Sequence, residues 1–191
     1  DDARYVLDHG DVLLELLRDV LRAPGGRRIR VHGDLHLGQI LSTGRDFVII
    51  DFEGEPTRSI GERRLKRSPF RDVAGMLRSF DYAARASIGE AVARGNAVSE
   101  ERAHELLAGP AEQWVRWASA AFLRGYLVTV ERTGLIPDNR EARRIQLDAH
   151  MIDKALYEVR YELEHRPGWV GFPIGGLRTA LEMRSLEEVT L

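Results

Sequence analysis

The sequence predicts a mainly α domain with one small β unit, on three observations. Long stretches repeat apolar residues at helical spacing, and only two short β-branched runs, IRV at 29–31 and FVII at 47–50, interrupt them. The 191 residues suffice for one domain with a sizeable core, and no linker or internal repeat divides them, so residues 1–191 read as a single domain. A hydrophobic fraction of 43% beside 30% charged residues excludes a disordered chain.

The elements follow from local signals in chain order. DVLLELLRDVLR aligns Leu13, Leu16, Leu17, Val20 and Leu21 on one face, and Pro24, Gly25 and Gly26 stop it. The two β-branched runs are too short for helices and are expected to form the β unit. Each ends in a polar cluster, HGDLHLGQ at 32–39 and DFEGEP at 51–56. Ser68 and Pro69 then open the helix FRDVAGMLRSFDYAARAS. Ser99 is expected to cap a short helix ending at Gly109, with Pro110 starting a longer one that ends at Gly134. Asp138 or Asn139 caps the next, whose stripe of Ile145, Met151, Ile152, Leu156, Val159 and Leu163 runs until Arg166, Pro167 and Gly168. A last short helix is expected after Pro173, followed by a polar end.

Charge and composition exclude several functions. Lys+Arg 28 against Asp+Glu 30 gives a net charge of -2, so no overall field draws the chain to nucleic acid or an anionic membrane. The basic run Arg63, Arg64, Lys66, Arg67 and Arg71 is flanked by Glu62 and Asp72, lacks interleaved aromatics and reads as a solvated loop. With no cysteine, disulfides, thiolate zinc sites and cysteine nucleophiles are excluded. No apolar run is long enough to span a membrane and the acidic start is no secretory signal, so the expected location is the cytoplasm. The chain starts at Asp1 without methionine and is expected to be a piece of something longer.

The chemistry concentrates in the two polar clusters. Asp34 and Gln39 flank a turn containing Gly38, and Asp51 stands at the end of the next apolar run. Phosphoryl transfer requires one carboxylate to accept the proton of an attacking hydroxyl, and oxygen ligands for the magnesium that bridges nucleotide phosphates. Asp34 suits the first role, Gln39 and Asp51 the second. The order also matches the D-x-x-x-x-N, strand, D-F-G pattern of protein kinases. Other readings stand beside these. His32 reads as a structural histidine, His36 as either structural or ligand-binding, Glu53 as accessory or solvated, and Glu55 as solvated. Asp72 reads as a brace for the loop, and Trp114, Trp117, Phe122 and Tyr126 as core. A metal-dependent hydrolase built on His32, Asp34, His36 and Asp51 ranks last, because the spacing fits phosphotransferases better.

These motifs resemble the aminoglycoside phosphotransferase-like kinases, whose H-G-D-x-x-x-x-N and I-D-W/F-E/D segments correspond to His32–Gln39 and Ile50–Glu53. The fuller set HGDLHLGQ, IDFEGEP, RSPFRDVAGMLRSFDYAA and KALYEVRYELEHRPGWVGFPIGGLR is similar to maltokinases. The resemblance implies the C-terminal helical lobe of a protein-kinase-like fold, acting on maltose and ATP with magnesium to give maltose 1-phosphate. It implies Asp34 as catalytic base, Gln39 and Asp51 as metal ligands, Glu53 and His32 as accessory residues, and His36, Lys154, Tyr161 and Arg178 as sugar contacts. Lys154 and Tyr161, seven residues apart, share a helix face. Gln39 departs from the wider family's asparagine, a glutamine that the maltokinase-like variant shares.

The resemblance also implies that the N-terminal nucleotide-binding lobe is absent from this chain: nothing before Asp11 supplies a phosphate-covering loop or a strand lysine, and Lys66 and Lys154 are the only lysines. The isolated chain is therefore expected to be inactive, with that lobe and, for a fused parent, trehalose synthase as its partners. Two alternatives remain at this stage: a kinase for another small alcohol such as an aminoglycoside or a different sugar, and a non-catalytic sugar-binding or docking module.

Overall fold

The computed structural model describes residues 2–95, 99–178 and 181. Helix α1 spans Asp2–Asp8 and α2 Gly10–Arg22; strands β1 (Ile40–Ser42) and β2 (Phe47–Ile49) form an antiparallel hairpin. Four helices follow: the short α3 (Ile60–Arg63), then α4 (Phe70–Ala93), α5 (Glu100–Val130) and α6 (Arg140–His165). A last helix occupies 171–178, beginning two residues before Pro173. The mainly α reading with one small β unit holds.

Caps decide where the helices begin. Ser59 and Glu62 form a reciprocal capping box at α3, Ser99 accepts from the amide of Arg102 at α5, and Asn139 accepts from Glu141 and Ala142 at α6. Asn139, not Asp138, is therefore the cap.

Helix α4 packs against both α5 and α6. Its Phe70, Val73, Met76, Leu77 and Phe80 form one core with Val130 and Ile136, to which Leu35, Phe122 and Tyr126 add partly buried surface. A second core joins Leu13 of α2 to Ile152, Ala155 and Val159 of α6 and to Ile174 and Leu177 of the last helix. Each fully buried large apolar side chain contributes roughly 1.5–3 kcal/mol relative to exposure. Between the cores the α4–α6 contact is polar. Arg78, 3% exposed, directs Nε and Nη2 to Oε2 of Glu158, both at 2.8 Å, and pairs with Asp81 at 3.1 Å.

Several expectations are corrected. The 29–31 run makes only a single bridge, Ile29 to Arg67, and the partner of the FVII strand is instead Ile40–Ser42. The turn around Gly44 sets that pairing, with Thr43 and Asp46 hydrogen-bonded across it. Helix α5 runs unbroken through Pro110. Pro110 has no amide to donate to the carbonyl of Leu106, and Leu106 is exposed, so water can donate to that carbonyl instead. The buried ridge of α6 runs through Ala142, Gln146, Ala149, Ile152, Ala155, Val159 and Glu162, which leaves Leu163 at 48% exposure. Trp114 and Trp117 are likewise exposed rather than core, although Trp114 sets its edge on Phe80.

The crossing of the 32–39 loop over α4 demands a glycine. A methyl group on Gly75 would collide with the carbonyl oxygen of Leu35, a backbone atom that cannot swing aside. Gly75→Ala is expected to destabilise the chain by about 1–3 kcal/mol through forced displacement of that loop, read as a lower thermal midpoint.

Candidate active site

The site begins with a carboxylate below the loop. Asp72, in the first turn of α4, accepts the amide of His32 on Oδ2 at 2.7 Å and the amide of Gly33 on Oδ1 at 2.8 Å. Both are short charge-assisted bonds. Gly33 adopts φ +88°, a left-handed turn that suits glycine and lets two successive amides converge on one carboxylate. The reading of Asp72 as the loop's brace is thus realised in geometry.

His32 ties the loop to the strand end. Its ring is 6% exposed; Nε2 donates to the carbonyl of Ile50 at 2.7 Å, and Nδ1 accepts the amide of Asp34 at 3.4 Å. These two bonds assign the Nε2–H tautomer and leave no free ring nitrogen. The amide of Ile50 in turn donates to the carbonyl of Gln39 at 3.0 Å. With both its backbone groups engaged, Ile50 holds the next residue, Asp51, at φ +62°, a left-handed conformation that costs a non-glycine residue about 1–3 kcal/mol. That turn places the Asp51 carboxylate against Gln39, whose Nε2 donates to Oδ2 at 2.9 Å.

Gln39 and Asp51 therefore meet, as their spacing implied. A carboxylate and an amide oxygen are hard donors of the kind magnesium accepts, and magnesium ordinarily uses only one or two protein carboxylates beside waters and phosphate oxygens. The donor types suit that ion, while here the Gln39 amide nitrogen rather than its oxygen faces the carboxylate. The hydrolase alternative does not assemble: among the described residues no group of three or more His, Asp or Glu is placed to hold a metal. His32 has both ring nitrogens committed, and Nδ1 of His36 accepts the amide of Gly38 at 3.1 Å as the cap of a short 3-10 turn, Leu37–Gln39.

Asp34 projects into a small pocket of about 20 Å³ together with Arg58, Arg71, His150, Asp153, Lys154 and Tyr157. Lys154 Nζ lies 3.5 Å from Asp34 Oδ1 and 5.1 Å from the centre of the Tyr157 ring. Both members of the Asp34–Lys154 pair are partly shielded, at 19% and 24% exposure, so their attraction exceeds that of a surface pair without carrying a full desolvation cost. Tyr157 bonds Thr57 at 3.3 Å, and Thr57 donates to Oε1 of Glu55 at 3.2 Å. Glu55, 8% exposed, is consequently a bridge between the 51–59 loop and α6 rather than a solvated carboxylate. Burial pushes the Tyr157 phenol above its usual range, which keeps it a neutral hydrogen-bonding group.

The other expected sugar contacts are distributed differently. Tyr161 stacks between Tyr157, at 6.4 Å, and His165, at 4.3 Å, one turn beyond the pocket along α6. Arg178 lies over the ring of Tyr5 in α1, 4.3 Å away, on the side of the second core, and does not line the pocket. The Glu53 side chain is exposed, and its carbonyl accepts from Arg63 at 3.2 Å. Sequence reasoning did not single out Arg58, His150, Asp153 or Tyr157. The last two flank Lys154 at i-1 and i+3, so the helix position of Lys154 was the available signal; Arg58 carried none.

Two outcomes follow from this geometry. In Asp72→Asn the amide can accept only one of the two backbone donors and loses its charge, so urea denaturation is expected to show a loss of roughly 1.5–3 kcal/mol. His150 is held below its ordinary value of 6.5 by burial, with Asp153 opposing and Arg71 and Arg67 repelling the proton. The unfolded chain then binds this proton at a higher pH than the folded one, so the contribution is complete above pH 6.5 and is lost as pH falls below it. His150→Gln is expected to flatten the fall in thermal midpoint below that pH, measured against the parent chain.

No protein-family model matches the chain. Curated relatives do: it is 29% identical over 147 residues to a glucosamine kinase of Streptacidiphilus jiangxiensis, covering 76% of this chain and 30% of the relative. It is 29% identical over 154 residues to a glucosamine kinase of Mycolicibacterium smegmatis, covering 79% and 34%. The chain thus spans about a third of the length of these relatives. Among solved structures it superposes on glucosamine kinase in crystal form B with TM-score 0.77 and 25% identity, over 95% of this chain and 41% of that one. For glucosamine kinase in complex with glucosamine, ADP and inorganic phosphate the TM-score is 0.76 at 25% identity, over 94% and 39%. No described helix is long and apolar enough to cross a membrane. In sequence and in fold the chain is similar to part of a glucosamine kinase, a likeness that supports a sugar kinase in general and does not reach the maltose-specific resemblance.

Proposed function

We propose that this chain carries the catalytic loop, metal ligands and acceptor pocket of an ATP-dependent sugar kinase. The observation that carries the reading is the braced loop itself: Asp72 and His32 fix the backbone so that Asp34 faces a pocket while Gln39 and Asp51 meet at the base of the hairpin. In this reading Asp34 accepts the proton of a sugar hydroxyl as its oxygen attacks the γ-phosphorus of ATP, and ADP leaves. Magnesium, held by Gln39 and Asp51, supplies charge neutralisation of the nucleotide phosphates. Lys154 holds Asp34 in place, and Tyr157 offers a polar-edged ring to the sugar.

The nucleotide-binding part is proposed to lie outside these residues, as the coverage of the relatives suggests. The hairpin beside Asp51 exposes Leu41, Phe47, Val48, Ile49 and Ile50, an apolar surface suited to packing beneath such a part.

For the acceptor, the motifs favour maltose, phosphorylated at its anomeric hydroxyl, whereas the named relatives favour glucosamine. The pocket supports the neutral sugar. Arg58, Arg71 and Lys154 outnumber Asp34 and Asp153 around it, and an ammonium group would meet that excess of positive charge.

The test uses the complete protein with ATP and magnesium, offered maltose, glucose and glucosamine in parallel. Transfer to a sugar is expected, with maltose preferred, and Asp34→Asn is expected to lower kcat by about 10²–10⁴-fold. Preference for glucosamine would reassign the acceptor. No transfer to any sugar, or full activity in Asp34→Asn, would overturn the reading in favour of a binding module.

A further inference from the structure

Asp34 is gripped from two sides. Below it, Asp72 and His32 fix the backbone of the loop. Above it, the carboxylate meets the end of a flexible side chain, with Lys154 Nζ 3.5 Å from Oδ1. An ammonium on a four-carbon stem is a mobile partner unless something seats it. The seat is Tyr157, one turn further along α6, whose ring centre lies 5.1 Å from Nζ. What holds that ring therefore also holds Lys154 against Asp34.

The ring is held from the loop after β2. Tyr157 stacks on Tyr161 along its own helix, and its hydroxyl reaches across to Oγ1 of Thr57 at 3.3 Å. Thr57 has one hydroxyl proton, and it goes to Oε1 of Glu55 at 3.2 Å, so Tyr157 donates and Thr57 accepts. The buried Glu55 anchors this relay. The amide of Arg58 donates to the Glu55 carbonyl at 3.1 Å and closes the turn that brings the Thr57 hydroxyl back to the Glu55 carboxylate. Before that turn, Gly54 at φ +79° lies against the braced loop, where a methyl group on it would come within 3.3 Å of the His32 carbonyl oxygen. The contacts thus form a circuit that leaves the catalytic loop at His32 and returns to it at Asp34. Neither Glu55 nor Thr57 lines the Asp34 pocket, and Thr57 is exposed. Both reach Asp34 through Tyr157 and Lys154.

We propose, resting on the reading of Asp34 as the base of a sugar kinase, that Thr57 is a positioning residue for that base: its hydroxyl keeps the Tyr157 ring beside Lys154, and so keeps Lys154 on Asp34. A carboxylate that must accept the proton of one particular hydroxyl gains more from a fixed direction than from added attraction. Loss of the bond releases the outer end of the ring and with it the seat of Lys154, so the cost falls on the chemical step rather than on nucleotide binding. Valine keeps the shape of Thr57 and serine keeps its hydroxyl, which separates the bond from the packing.

The experiment takes the complete protein with ATP, magnesium and the sugar that the parent phosphorylates fastest, and compares Thr57→Val, Thr57→Ser and Lys154→Met. Thr57→Val is expected to lower kcat by about three- to tenfold with KM for ATP unchanged, and Thr57→Ser to retain the parent kcat. Added to Lys154→Met, Thr57→Val is expected to cost less than about twofold more, because its effect passes through that lysine. Parent kcat in Thr57→Val, an equal fall in Thr57→Ser, or an undiminished effect of Thr57→Val in the Lys154→Met background would each overturn the role of Thr57 and leave the kinase reading standing. A parent that transfers phosphate to no sugar would overturn that reading and the positioning role with it. Should Thr57→Val fail to fold, Tyr157→Phe removes the same hydrogen bond from its other end, and an undiminished kcat there would overturn the proposal.

Discussion

The grip of one carboxylate on two consecutive amides sets the geometry of everything at the site. Asp72 belongs to α4, the helix that contributes most to the first core, while His32 and Gly33 belong to a loop with little apolar surface of its own. A loop is ordered only when its backbone donors find acceptors, since an unpaired buried amide costs more than a made bond returns. By satisfying both donors from a buried helix, Asp72 transfers the rigidity of the core to a segment that must present Asp34 to solvent. His32 extends that order one step further, to Ile50, and Ile50 to the turn that carries Asp51. Rigid placement of reacting groups is what a phosphoryl-transfer site needs most, because its catalysis is chiefly positioning and electrostatics.

The opposite wall of the pocket depends on α6, and α6 is docked to α4 by charge as much as by apolar packing. Arg78 is held in its charged form by Glu158 and Asp81, although burial pulls the other way. Glu162, 1% exposed, accepts Tyr82 at 3.2 Å and two bonds from Arg166 at 2.7 and 2.9 Å. Such buried pairs add little net stability, but losing one partner strands a charge and costs about 3–5 kcal/mol. Their value here is registration. A sliding apolar face tolerates several positions, whereas Arg78 meeting Glu158 fixes the rotation and height of α6, and Lys154 lies one turn from Glu158 on that helix.

How far the fold and site were legible follows from the range of the forces involved. Capping and stopping are local, so the starts of α5 and α6 at Ser99 and Asn139, the start of α4 beside Pro69 and the end of α2 before Pro24 could be read from neighbours in sequence. The continuity of α5 through Pro110 could not, because it depends on long helices propagating on either side and on solvent reaching the carbonyl of Leu106. The pairing of β2 with Ile40–Ser42 was hidden for a similar reason: the turn around Gly44 and the bond between Ile50 and Gln39 together bring the two short runs into register. At the site, Asp34, Gln39 and Asp51 carried a motif, and the brace by Asp72 followed from its place after it. Arg178 belonged to a matching segment, yet its position depends on α1, an element with no strong periodic signal, whose Tyr5 it covers.

The arginines show how a local reading of charge fails. In sequence, Arg63, Arg64, Lys66 and Arg67 are equivalent members of one basic run, flanked by carboxylates that should neutralise them. Folding breaks the equivalence: the capping box turns the Glu62 carboxylate toward Ser59, and the loop brace claims both oxygens of Asp72. The same two devices that order the backbone therefore orient the carboxylates that share this region with the arginines, among them Glu55 and Glu62. Positive charge concentrates on the side of Gly33 where Arg58 and Arg71 border the Asp34 pocket. At an effective dielectric near 20, a unit charge 4 Å away is worth about 4 kcal/mol. The field of these arginines thus bears on whatever enters the Asp34 pocket, stabilising negative charge that develops there and opposing a cationic acceptor. Backbone order and electrostatic preference at this site are consequences of one arrangement of carboxylates.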